Sequence, residues 1–375
     1  MTCRVLHVVG RMERGGIQNW LMHLLRAIDR QHYAMDFLVE TNGESAYDRE
    51  IVQLGSSLLH CPATSNPWRY ANRFARVLRT QEPYDVVHSH VYSFTGFILR
   101  LAKRQGIPMR IAHAHADRRG IEVETGLRRQ CQLRLMKSLI RKYAVVKIAA
   151  SGDAATDLFG PDWRQDTAVR IVHCGLDLAP FKDIPDRPRL RAHLRLPTEA
   201  FVIGHVGRFV AEKNHAFLVE VAAEAIKLEE RVRLLLVGDG PLRGEIERRA
   251  GELGIGERVI FAGERDDVPA IMAAAMDVLV FPSLHEGLGL VVIEAQAAGL
   301  PCLIADRVPR EADVVPALIS RLPVEEAATL WAKRIMEISA APRVRRDEAL
   351  AAVVGSTFNI SRSLQEITRI YDGDV

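Results

Sequence analysis

The chain has 375 residues, 48% of them apolar and 26% charged, an ordinary globular composition and too long for a single hydrophobic core. No stretch reaches the roughly 18 apolar residues of a membrane span, and an aromatic content of 6% with no stacking motif argues against nucleic acid as a partner. The formal charge of +3 hides an asymmetry: residues 1–180 hold 25 Lys and Arg against 17 Asp and Glu, and the remainder holds 25 against 30. The first residues run directly into a strand pattern, and Cys3, Cys61, Cys131, Cys174 and Cys302 show no paired spacing. Both features predict a cytoplasmic protein with reduced thiols.

Short apolar runs at 5–9, 35–39, 57–61, 85–89, 109–113, 147–150 and 170–173 alternate with helical patterns, and the alternation resumes at 201–206, 233–237, 259–262, 278–281 and 301–304. Continuous apolar strands separated by helices indicate parallel sheets covered on both faces. Three prolines and several charges between Gly175 and Arg189 interrupt the alternation. The expected division is therefore a domain over 1–178, a linker over 179–198 and a second domain over 199–355. Two doubly wound, Rossmann-like domains would bring the carboxyl ends of their strands, and their ligand loops, to a central cleft.

Gly15 and Gly16 open the first helix, where glycine lets the backbone approach a phosphate closely. His88 and His90 form one His-x-His pair. His113 and His115 form another, projecting to one strand face with Asp117 next in the alternation. Residues 118–147 concentrate nine basic side chains. Leu127, Cys131, Leu135, Leu139 and Tyr143 recur every four residues there, predicting an amphipathic helix with Arg134, Lys137 and Arg141 on another face. Such a face suits anionic lipid headgroups or plain solvent.

In the second half, the strand at 201–206 leads into Gly207 and Arg208, with Lys213 and Asn214 following. The spacing lets a guanidinium fork and a lysine point charge converge on one anion. The strand at 278–281 is followed by a glycine-rich turn, with Glu286 at the turn and Glu294 about two helical turns in, on nearly the same side. The N–H groups of Gly287, Leu288, Gly289 and Leu290 lie at that helix start, where an anion or a sugar hydroxyl can bind.

Together these runs resemble the retaining glycosyltransferases of family 4, the glycosyl transferases group 1. The resemblance spans essentially the whole chain, through Leu6 to Gly10, Asp85 to His90, Leu236 to Gly240, Phe281 to Ser283 and Glu294 to Pro301. Arg110 to His115 adds a likeness to the exopolysaccharide and capsule branch. The resemblance implies an α/β chain of GT-B fold, with an acceptor-side first domain, a donor-binding second domain and a final helix over 356–375 that crosses back to the first. It implies a metal-independent, retaining transfer of a sugar from a nucleoside diphosphate, most often UDP, to a lipid-linked or other saccharide acceptor. No cofactor is implied, and the nucleotide-sugar is substrate. By the same carry-over, Arg208 and Lys213 hold the diphosphate, Glu294 the ribose and Glu286 with residues 287–290 the sugar. Gly15, Gly16 and Gly207 approach the donor, and Arg265 sits in the 263–268 loop that frames the base. His115 stands nearest the transferred group. Peripheral contact with the inner face of the cell membrane follows from the branch likeness and the basic segment.

Three other readings use part of the chain. His88, His90, His113, His115 and Asp117 could ligate zinc in a metal-dependent hydrolase, which leaves Arg208, Lys213, Glu286 and Glu294 unused. Gly238 and Gly240 after a strand suggest a dinucleotide fingerprint, but Arg243 stands where its third glycine belongs. A non-catalytic sugar-nucleotide-binding subunit would keep every binding residue.

Overall fold

The computed structural model describes residues 2–116, 126–183 and 186–374. Asp117, Arg118, Arg119, Glu122 and Glu124 lie outside the described residues. The chain divides into two compact units: Met1–Gly175 with Ile360–Val375, and Leu176–Asn359.

Unit 1 is built on a seven-stranded parallel sheet of order β3-β2-β1-β4-β5-β6-β7. Its strands are β1 (Cys3–Val9), β2 (Tyr33–Val39), β3 (Leu58–His60), β4 (Val86–Ser89), β5 (Met109–Ala114), β6 (Val146–Ala149) and β7 (Val169–Ile171). The helices are α1 (Gly16–Ala27), α2 (Asp48–Gln53), α3 (Pro67–Arg79), α4 (Thr95–Arg104), α5 (Leu127–Tyr143), α6 (Gly152–Phe159) and, at the far end of the chain, α14 (Ile360–Tyr371). Helix α3 starts where it does because the Asn66 carboxamide accepts the N–H groups of Trp68 and Arg69 and Pro67 occupies the first turn. Its Tyr70, Phe74 and Leu78, four residues apart, are the buried stripe.

Helix α14 belongs to unit 1 by its bonds. The Trp20 indole donates to Ser363 Oγ at 2.9 Å, and Tyr33 donates to the Asp372 carboxylate at 2.8 Å. At Gly175 a side chain would come within 2.6 Å of Ile360 Cα, so glycine is needed for the helix to lie this close.

Unit 2 carries a six-stranded parallel sheet of order β10-β9-β8-β11-β12-β13. The strands are β8 (Phe201–Val206), β9 (Val232–Val237), β10 (Val259–Gly263), β11 (Val278–Phe281), β12 (Cys302–Ala305) and β13 (Ile319–Leu322). Helices α7 (Arg187–His193), α8 (His215–Leu228), α9 (Arg243–Glu252), α10 (Val268–Ala274), α11 (Leu290–Ala297), α12 (Ala328–Ala340) and α13 (Arg346–Gly355) cover it. Strand β13 has no counterpart in the sequence reading, because its residues are all half-buried and include Ser320 and Arg321.

The stretch 179–198, expected as a linker, is fastened to unit 2. Pro180 and Pro188 sit at helix starts, and Arg187 and Arg191 are partners in a buried network. Arg191 is 2% exposed and bonds Asp277 at 2.7 Å and the carbonyls of Thr198, Ala200 and Ala275, while Arg187 takes the other Asp277 oxygen at 2.6 Å. Arg343 lies 3.7 Å from the same carboxylate, and the cluster is held in place because removing Asp277 would strand Arg191 as a buried charge.

Candidate functional site

In an open parallel sheet the ligand crevice lies where the strand order reverses, at the carboxyl ends of the two strands that flank the reversal. In unit 2 those strands are β8 and β11. They feed the two loops singled out in the sequence.

The β8 loop is shaped by glycine. A side chain at Gly238 would lie 2.2 Å from the Gly207 carbonyl, and one at Gly240 2.7 Å from the Phe209 backbone. Both have positive φ. The 238–240 turn therefore presses on Gly207 to Phe209, and Phe209 N–H donates to Asp239 O at 2.9 Å. This accounts for the Gly-Asp-Gly sequence without a dinucleotide. Arg208 emerges exposed, and its guanidinium has no ionic or hydrogen-bonding partner among the described residues. Asn214, at φ 55, ends the turn and starts α8.

The β11 loop meets the β8 loop directly. Leu284 N–H donates to Glu212 O at 2.8 Å. Lys213 Nζ lies 2.5 Å from Glu286 Oε1 and 4.8 Å from the centre of the Phe281 ring. The expected convergence of Arg208 and Lys213 on an anion thus takes a different form, with Lys213 occupied by Glu286. Gly289, at φ 82, opens α11 at Leu290. Glu294 therefore stands about one helical turn in, not two. It is partly buried with no side-chain partner among the described residues, and burial pushes its carboxyl up to about 7.

Gly287, Leu288, Gly289 and Leu290 run through the turn into this helix start. Beneath the β8 loop, His205 and His215 are buried, with three ring nitrogens unpartnered among the described residues and pKa values pushed down by burial and, less, by neighbouring cations. Arg265 is clamped by both oxygens of Asp267, at 2.8 and 2.7 Å, beside an open hollow lined by Glu264, Arg265, Asp266 and Asp267.

In unit 1 the order reverses at β1 and β4. Gly15 precedes α1 in extended conformation, its N–H donating to Asn19 Oδ1 at 3.3 Å, and Gly16 is the first helical residue. His88, His90, His113 and His115 come together with His7 of β1. His113 and His115 stack at 3.9 Å between ring centres. His88 bonds His113 at 3.0 Å, His90 bonds His115 at 2.8 Å, and His7 bonds His90 at 3.0 Å. Burial pushes all five pKa values down, to about 3 for His7 and His115. Two trios, His7 with His88 and His90 and His90 with His113 and His115, have ring nitrogens within 4.8 Å of one another. The shorter separations are hydrogen-bond lengths, so the expected zinc ligands of the hydrolase reading are bonded to each other.

His7 and Tyr371 escaped the sequence reading. The one signal for His7 is a lone histidine inside an otherwise apolar strand run. Tyr371 gives none, since its place depends on where the last helix docks.

The basic helix also differs from expectation. Lys137 is no part of an open face: its ammonium binds Asp157 at 2.8 Å and lies 5.5 Å over the Tyr92 ring. Leu133 and Ile140, seven residues apart, are the buried side. Leu127 and Leu135 are 81% and 56% exposed, and Cys131, Arg134 and Arg141 face solvent with them.

Two family models match. One describes a glycosyl transferase 4-like domain and covers residues 15–175, and the other describes glycosyl transferases group 1 and covers residues 186–351. EpsF of Bacillus subtilis (strain 168) is 34% identical over 376 residues, 98% of this chain and 96% of EpsF. The UDP-Gal:alpha-D-GlcNAc-diphosphoundecaprenol alpha-1,3-galactosyltransferase of Escherichia coli is 29% identical over 61% of this chain and 59% of that protein. Among solved structures, Anabaena HepE in complex with UDP superposes with a TM-score of 0.80 at 21% identity over the whole of both chains. WaaG, a glycosyltransferase involved in lipopolysaccharide biosynthesis, superposes at 0.76 and 18%, covering 98% of this chain and all of that one. These likenesses identify the two parallel sheets as the GT-B fold.

Proposed function

The chain belongs to the glycosyl transferases group 1, and from that premise we propose a retaining, metal-independent transfer of a sugar from UDP-sugar to a lipid-linked saccharide of a surface polysaccharide. That it is a glycosyltransferase follows from the family. The finer reading rests on one observation: at the switch point of unit 2, the Arg208 guanidinium on the β8 loop and the Glu294 carboxyl in the helix that follows the β11 loop have no side-chain partner among the described residues, and the two loops are joined by Leu284 and Glu212. A ligand carrying both phosphates and hydroxyls would satisfy them.

In this reading Arg208 binds the diphosphate oxygens, and Lys213 passes from Glu286 to the phosphate as donor enters. Two cations then offset the charge that develops on the leaving nucleotide, in place of a metal ion. Glu286, released by Lys213, accepts from sugar hydroxyls, and the N–H groups of 287–290 complete that contact. Glu294 accepts from the ribose, and Arg265, freed from Asp267, reaches the base. In unit 1, Gly15 and Gly16 let the backbone approach the donor, and His115 is assigned to the transferred sugar or the oxygen that leaves. Attack on the same sugar face as departure needs no covalent nucleophile.

The lipid-linked acceptor is suggested by the E. coli relative, whose name carries a diphosphoundecaprenol acceptor. Among the described residues no helix is long and apolar enough to cross a membrane. Contact with such an acceptor would fall to the exposed leucines and arginines of α5, laid on an anionic membrane surface.

A panel of UDP-, GDP-, ADP- and dTDP-sugars in EDTA tests the reading by thermal shift and diphosphate release. UDP-sugars should stabilise the protein and be slowly hydrolysed. Binding that appears only when zinc or magnesium is restored overturns the metal-independent mechanism.

A further inference from the structure

Unit 1 holds an unbranched series of hydrogen bonds that no step above uses. His115 Nε2 meets His90 Nδ1 at 2.8 Å, and His90 Nε2 meets His7 Nδ1 at 3.0 Å. His7 Nε2 meets the Tyr371 hydroxyl at 3.3 Å, and that hydroxyl meets His88 Nδ1 at 2.9 Å. His88 Nε2 then meets His113 Nδ1 at 3.0 Å. A neutral imidazole has one donor and one acceptor nitrogen, and each ring in the middle of the series spends one on either neighbour. Burial disfavours the charged form of all five. The tautomer of one ring therefore dictates the next, and a hydroxyl passes the choice on, because it donates to one side and accepts from the other.

Only two registers satisfy every link. In one, each histidine carries its proton on Nε2. His113 then buries an N–H, since its Nε2 has no partner among the described residues. In the other, each carries it on Nδ1, and His113 leaves only a bare lone pair at that place. An orphaned N–H is the rarer arrangement in folded proteins, so the second register is favoured. At the opposite end it gives the half-buried His115 an Nδ1–H, 3.9 Å from Cys174 Sγ, too far for a strong bond.

We propose that His90 is a positioning residue: its Nδ1–H, held in register by His7 and Tyr371, fixes His115 as the Nδ1–H tautomer and so makes it a hydrogen-bond donor to the substrate. The proposal rests on the assignment of His115 to the transferred sugar. It also gives the last helix a part in the reaction through Tyr371.

Ring nitrogen shifts of histidine-labelled, ligand-free protein at pH 7 read the tautomer directly, with His115→Asn to assign the signals. The expected spectrum has His115 protonated at Nδ1. A His115 protonated at Nε2, or an averaged pair of signals, overturns the proposal without any appeal to activity. His90→Leu should shift His115 to the mixed or Nε2–H form and lower kcat about tenfold, the worth of one hydrogen bond, with the donor KM unchanged. His90→Asn, whose amide nitrogen can replace Nδ1, should restore both. If His90→Leu loses turnover while the His115 tautomer stays as it was, His90 is merely structural and the proposal fails. If the tautomer shifts and turnover does not, the register stands and the assignment of His115 to the sugar is what fails.

Discussion

Glu294 is a carboxyl group that the fold treats badly. It has no hydrogen-bond partner among the described residues, and burial raises its pKa to about 7. An acid whose folded pKa lies above its unfolded one destabilises the fold at pH above the unfolded value, and the effect is complete above the folded value. Glu294→Gln should therefore raise stability by less than about 1 kcal/mol at pH 5, where only the first part of the effect is present, and by about 1–3 kcal/mol at pH 8. Urea titrations at the two pH values check this, and equal shifts at both would mean that Glu294 is ionised without strain. The same variant should lose most of its turnover. A carboxyl group pushed this far from its ordinary pKa by burial marks a candidate ligand site. Lys213 and Glu286 show the opposite arrangement, two charges that satisfy each other.

Helix α5 turns a charge pattern into a surface only where packing permits. Its Lys137 is committed to Asp157, so the face left to solvent is Leu127, Cys131 and Leu135 flanked by Arg128, Arg134 and Arg141. Leucines beside arginines suit the headgroup boundary of an anionic bilayer, where apolar side chains enter and guanidiniums remain with the phosphates. Replacing Arg128, Arg134 and Arg141 with Glu should abolish co-sedimentation with vesicles containing phosphatidylglycerol, with the melting temperature within a few degrees of wild type. Unchanged sedimentation would remove the membrane from the account. Lys137→Glu belongs outside this set, because it would set a second carboxylate against Asp157 and unfold the helix. The sequence could not show this, as four-residue spacing marks a face but not which face is covered. Twelve of the strands were legible because buried parallel strands are apolar runs, whereas β13 is not, with Ser320 and Arg321 in its four residues. Gly207, Arg208, Glu286 and Glu294 were legible from spacing along the chain. The Lys213–Glu286 pair, the buried Arg191 and the bonds of Tyr371 were not, since each depends on two distant segments meeting.

At the scale of the molecule, the two units differ in what acid does to them. His7, His88, His90, His113 and His115 are buried in unit 1 with depressed pKa values, against His205 and His215 in unit 2. A histidine whose folded pKa is depressed lends stability above its unfolded pKa of about 6.5, and that stability is lost as pH falls below it. Each such group contributes a slope of about 1.4 kcal/mol per pH unit between the two values. The limit is then about 7 kcal/mol per pH unit for unit 1 and about 3 for unit 2. Glu40 in unit 1, raised by burial, offsets part of this, and Glu294, raised to about 7, removes about 1.4 kcal/mol per pH unit from unit 2. The imbalance remains, because five rings outweigh two. On acidification from pH 6.5 to 4, unit 1 should open first while unit 2 keeps its fold. Hydrogen exchange followed by mass spectrometry resolves the order: peptides from β1, β4 and β5 should lose protection at a higher pH than those from β8, β11 and α11. Simultaneous loss, or loss from unit 2 first, would show that the histidine series carries charge more readily than its burial implies, and the single tautomer register of His115 would then have to be given up as well.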